Sequence, residues 1–137
     1  MSKTSIKHKG EIIAYVFRKR LRVDGTKFLT PDESTLQIGL LEHPSGTEIK
    51  THFHPAKKKQ KISISEEFLY VEEGRVRVSL YLEDWTLIKK VSLSKGDSIL
   101  ILKGGHGLEV LSKCRIIEVK QGPFLGNKTT KVYKESN

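Results

Sequence analysis

The chain has 137 residues, 36% hydrophobic and 30% charged, with 25 Lys and Arg against 16 Asp and Glu and so a formal charge of +9. That length suits one domain with its own core, expected over residues 1–137, and that composition excludes a disordered or fibrous chain. The apolar runs at 12–17 and 99–102 are far shorter than the roughly 20 residues that a membrane helix needs.

A basic balance attracts phosphates, nucleic acid and anionic surfaces. Here the lysines are scattered from Lys3 to Lys134, and the densest cluster, AKKKQK at 56–61, lacks the interleaved aromatics of a single-strand binder. No nucleic-acid or membrane partner is expected. The basic N-terminal segment runs into Arg18, Lys19 and Arg20 without a small-residue cleavage site, so no secretory signal is expected either. The lone cysteine, Cys114, sits near Leu111 and Ile116 and reads as a small apolar filler, which places the protein in the reducing cytoplasm.

In chain order, the first predicted strand is IIAYVF at 12–17, followed by a turn at TPDES, 30–34, and by strands at 35–43 and 47–54. Residues 67–84 read as two strands joined by a tight turn at Gly74, with Val76, Val78, Leu80 and Leu82 sharing a face. Segments 85–93, 98–103, 108–112 and 115–121 complete a set of eight or nine short strands. The tail after Pro123 is a last edge strand or loosely ordered. No window of a dozen residues keeps apolar positions three and four apart, so the fold class is all-β, a sandwich or closed barrel.

Within GTEIKTHFHP, 46–55, a strand would project His52 and His54 from one face about 7 Å apart, a spacing from which two imidazoles reach one ion. An isolated H-x-H is more often a surface pair. The surroundings change that reading. Five residues separate Gly46 from His52, six separate Glu67 from Gly74, and a strand opened by Gly96 and Asp97 ends in KGGHG with His106.

These residues resemble the two motifs of the cupin superfamily, and the chain is similar to small single-domain bacterial cupins over roughly 35–124. The strand at 10–17 and the tail at 125–137 are then peripheral. The resemblance implies a jelly-roll double-stranded β-helix in which His52, His54, Glu67 and His106 hold a divalent transition metal, one of iron, manganese, nickel, cobalt or zinc. Parity favours Glu67 over Glu66, because Glu67 alternates with Leu69 and Val71. Two features depart from the family pattern. Twelve residues, 55–66, separate His54 from Glu67, read as a loop or short hairpin near the barrel mouth. His106 follows Gly96 by ten residues where eleven is usual, and Leu102 stands where proline is common. On a strand such a slip would reverse the side chain, but a glycine-rich turn can absorb it.

An open divalent site suits isomerase or epimerase chemistry, or dioxygenase chemistry if the ion is iron. The expected substrate is a small anionic or carbohydrate-type molecule. Gln37, His43, Glu118 and Lys120 are candidate substrate-binding groups, each with the plainer reading of a polar residue on a half-exposed face. The non-catalytic alternative is a metal-free module that binds a sugar or another small molecule. Exposed sheet edges and the resemblance together predict a homodimer.

Overall fold

The computed structural model describes residues 3–55, 65–122, 126 and 131–135. The chain packs as two compact units, Met1–Lys19 with Ile64–Asn137, and Arg20–Ser63. The described residues are all-β, and none of them forms a helix long and apolar enough to cross a membrane.

The larger unit holds β1 (Lys3–His8), β2 (Glu11–Phe17), β5 (Glu67–Tyr81), β6 (Leu87–Ser94), β7 (Ser98–Ile101) and β8 (Gly105–Lys120); the smaller holds β3 (Gly25–Phe28) and β4 (Gly39–Glu42). The six strands of the larger unit form one antiparallel sheet in the order β1-β2-β7-β5-β6, with β8 along the other side of β5. Alternation places Ala14, Val16, Leu69, Val71, Val78, Leu80, Ile99 and Ile101 on one face, where they pack into a single core with Ile6 and Leu93. The N-terminal strand, expected at the periphery, lies inside this sheet between β1 and β7.

The sheet curls strongly. Glu67 and Leu80 are thirteen residues apart on β5, so a straight strand would separate them by about 43 Å. His106 pairs with Leu80, yet its ring reaches the Glu67 carboxylate at 3.1 Å. Only a sheet bent back on itself, a half-barrel, brings those ends together. The bend lies between Val71 and Val76, where the β5–β8 register slips three times. Such bulges add an unpaired residue and turn the strand.

Gly74 sits in that bend, where the sequence predicts a tight turn between two strands. Residues 67–81 are one strand carrying a bulge, not a hairpin, and both halves pair with the continuous β8, which itself joins the two segments predicted at 108–112 and 115–121. The buried positions switch from odd (Leu69, Val71) to even (Val76, Val78, Leu80) across Gly74, a parity change that a hairpin or a bulge produces equally well. Gly74 has φ +83°, and a Cβ there would collide with the Lys113 carbonyl. The actual reversal is at 82–86, where Leu82 and Thr86 are bonded through the backbone and Asp84 accepts the Thr86 amide. β6 therefore starts at Leu87, two residues later than expected.

At the β6–β7 turn, Asp97 accepts hydrogen bonds from the Ser94 and Lys19 amides and from Arg18 Nη1, the last also an ion pair at 3.0 Å. This ties the end of β2 to the turn. Cys114 is half-buried against the core, as a small filler would be.

In the smaller unit, β4 is shorter than the strand predicted over 35–43 and pairs with β3, which was not foreseen. TPDES forms the expected turn, closed by the Ser34 amide on the Pro31 carbonyl. Residues 47–54, predicted as a strand, have no ladder partner among the described residues and take no regular structure. A strand needs a neighbour for its backbone groups, and alternation alone does not provide one. Most of the predicted loop or hairpin at 55–66 lies outside the described residues.

Candidate functional site

The concave face of the half-barrel carries a polar cluster at its open side. Glu67 opens β5 and faces inward with Leu69 and Val71, which are buried. His106 arrives by a different route. β7 ends at Ile101, opposite Glu67, and residues 102–105 carry the chain over to β8. Two glycines make this crossing possible: a Cβ on Gly104, at φ +82°, would strike the Tyr81 carbonyl, and one on Gly105 would strike the Trp85 ring. Trp85 also packs edge-on against Tyr81. The backbone thus passes close beneath an aromatic lid, and His106 emerges in register with Leu80 on the inner face.

His106 Nε2 donates to Glu67 Oε2 at 3.1 Å, with the side chains 31% and 19% exposed. The Glu67 bond raises the His106 pKa; burial opposes that rise, the negative charges of Glu67 and Glu118 support it, and Lys131 works against it. For Glu67, burial pushes the carboxyl upward. The His106 bond and charge, a hydrogen bond with Glu118 and the charge of Lys120 together outweigh it and leave Glu67 below the usual carboxylate range. The pair is therefore an ion pair in mildly acidic solution.

Glu118 and Lys120 belong to this cluster. Lys120 lies directly across from Glu67 and Glu118 across from Leu69, so both face inward, and Lys120 Nζ is 3.4 Å from Glu118 Oε1. At 42% and 43% exposure they form its outer rim. Lys131, from the C-terminal segment, had no sequence signal: nothing in a tail without periodicity points it toward His106. Lys134 of the same segment lies over the Tyr81 ring at 5.0 Å.

The other predicted residues are placed in the smaller unit. His52 and His54 lie together, ring centroids 5.0 Å apart in an edge-to-face arrangement, and both are exposed. The Lys50 carbonyl, which can only accept, lies 2.7 Å from His52 Nδ1. That bond puts the proton on Nδ1 and leaves the lone pair on Nε2, one of the two tautomers through which an imidazole can bind a metal. Gln37 is engaged in its own loop: its Oε1 accepts from Thr30, and its amide nitrogen points at the carbonyls of Pro31, Asp32 and Ser34. His43 Nε2 shares a hydrogen bond with Thr26. Both therefore have local structural partners.

The donor chemistry fits a divalent transition ion in part. Ligand bonds of about 2.1 Å place neighbouring ligand atoms about 3.0–3.4 Å apart, which matches the spacing of His106 Nε2 and Glu67 Oε2. Two donors do not close a site, and among the described residues no group of three or more His, Cys, Asp or Glu is gathered to hold an ion. No family model, curated protein or solved structure matches the chain.

Proposed function

We propose that the protein is a metal-binding cupin in which Glu67 and His106 hold a divalent transition ion together with His52 and His54, and that it acts on a small anionic molecule. The observation that carries this reading is the convergence of Glu67, at the start of β5, with His106 of β8, which pairs with the far end of β5, at 3.1 Å. A histidine and a carboxylate brought this close on a half-open concave face match the borderline nitrogen and oxygen donors that such ions prefer. The paired imidazoles of His52 and His54, with Nε2 left available, add to the support. When bound, the ion supplies Lewis-acid polarisation of a substrate oxygen, or oxygen chemistry if it is iron. The chain's own contribution is to hold the donors in register, to shield them partly from water and to provide Glu118 and Lys120 at the rim.

The test is metal content. Protein purified without added metal, then dialysed against nickel, manganese or zinc, should carry about one ion per chain, and His106→Ala, Glu67→Ala, His52→Ala and His54→Ala should each lose most of it. If His52→Ala and His54→Ala keep wild-type metal while the other two lose it, the four-ligand set is wrong. If no ion binds at any supply, the metal reading fails altogether.

A second reading has an observation of its own. His106 and Glu67 satisfy each other directly and need no ion, which suits a metal-free module that binds small molecules. Failure to take up metal while still binding a small acid would select it. Either form is proposed to be a cytoplasmic homodimer: Tyr70 of β5 and Ile117 and Val119 of β8 are exposed together on the outer face, and light scattering should give twice the chain mass.

A further inference from the structure

The inner face of β8 has three zones. At one end are Glu118 and Lys120, opposite Leu69 and Glu67. At the other are Leu108 and Val110, opposite the buried Val78 and Val76. Because the sheet curls, His106 and Glu67 meet between these ends. Leu108 and Val110 point toward the concave side yet are 45% and 59% exposed, while the residues across from them are fully buried. Bare apolar side chains next to a charged cluster on a concave surface are characteristic of ligand sites.

From this arrangement we propose that the site takes a small monocarboxylic acid with an apolar chain, a 2-oxo or 2-hydroxy acid, whose carboxylate is held by Lys120 and whose chain lies over Leu108 and Val110. The reacting carbon, next to the carboxylate, then rests at Glu67 and His106. This deepens the preceding reading and rests on its Glu67–His106 pair, but it does not need the ion. Charge supports the assignment. Lys120 lies directly across from Glu67 at the rim and supplies the cation that a single carboxylate needs. The Lys120–Glu118 contact is 3.4 Å long and at the rim, of the kind worth little in water, so a ligand carboxylate can share the ammonium with Glu118.

Trp85, the chain's one tryptophan, lies against Gly105 beside His106 and reports on the site. The experiment titrates its fluorescence with pyruvate, 2-oxohexanoate and the neutral 2-hexanone, on metal-free and on nickel-supplied protein. Each methylene buried over Leu108 and Val110 should tighten binding about three- to fourfold, reduced by their partial exposure, so 2-oxohexanoate should bind roughly tenfold tighter than pyruvate. The ketone should bind far more weakly than the acid. Lys120→Met should weaken both acids about tenfold and leave metal content unchanged, with Lys120→Arg near wild type; Leu108→Asn should remove only the chain-length difference. Loss of metal uptake with acid binding intact defeats the metal reading and leaves this one standing. Equal binding of acid and ketone by the wild-type protein overturns the inference without any variant, as does absence of acid binding in both forms, or an unchanged Lys120→Met.

Discussion

His106 and the pair His52 and His54 are the same residue type in two different settings. His106 is fixed by a strand register, a glycine step under Trp85 and a half-buried carboxylate that raises its pKa. His52 and His54 sit on an irregular, exposed segment, held by a backbone carbonyl and by each other. The difference shows that an imidazole becomes chemically distinctive through what the fold packs around it. H-x-H spacing gives two rings in reach of one ion, but burial and a fixed carboxylate partner come from long-range pairing.

The contrast can be tested first where the effect should be largest. Leu80 is fully buried and pairs with His106, so Leu80→Ala should cost about 2–5 kcal/mol in urea unfolding and loosen the Glu67–His106 bond with it. Phe53, between the other two histidines and 84% exposed, should tolerate Ala within about 0.5 kcal/mol. Equal costs at the two sites would show that the curled sheet does not hold His106.

Next in size is Gly74→Val. A left-handed backbone alone costs a β-branched residue about 1–3 kcal/mol, and the collision with the Lys113 carbonyl adds to it. Because the bend there brings Glu67 back to His106, the variant should also lower metal uptake, while His52 and His54, outside this unit, remain as they were. Asp97→Ala removes three hydrogen bonds to one carboxylate and should cost about 2–3 kcal/mol in urea unfolding.

A pH series sharpens the comparison further. With a raised folded pKa, His106 stabilises the metal-free protein fully below its ordinary value of 6.5, and this contribution disappears as pH rises through the folded value. Glu67, lowered, contributes above its ordinary 4.5 and loses its share as pH falls through its folded value. The pair therefore supports the fold most between those two values. Wild type should melt higher than His106→Gln near pH 5.5, with the gap narrowing by pH 8; a constant gap would mean that the pair is not ionised. The smallest effect is His52→Ala, expected to leave metal-free stability within about 0.5 kcal/mol at either pH.

Much of the site's inner part was legible in the sequence. Alternation put Glu67 on the face of Leu69 and Val71, and Glu67 is the carboxylate that meets His106. Glu118 and Lys120 stand out in the sequence as polar residues on the last strand, and the register places them beside Glu67. Gln37 and His43 looked similar by the same criterion but are bonded within their own unit, because a polar residue in a period-two pattern carries no mark of which neighbours it will meet. Lys131 and β1 have no sequence signal as parts of this unit, since contacts across long stretches of sequence leave no local mark.

By itself the sequence determined that the chain is all-β, which residues alternate inward, and which glycines interrupt the pattern, because these follow from period, side-chain size and backbone freedom within a few residues. Only the tertiary structure decided that Gly74 bends one strand and does not end it, and that its two ends curl until an acid and an imidazole touch. The reason is physical: a parity change is local, whereas the choice between turning back and bending on is made by the strand that pairs along its whole length, β8, whose bonding partners lie tens of residues away.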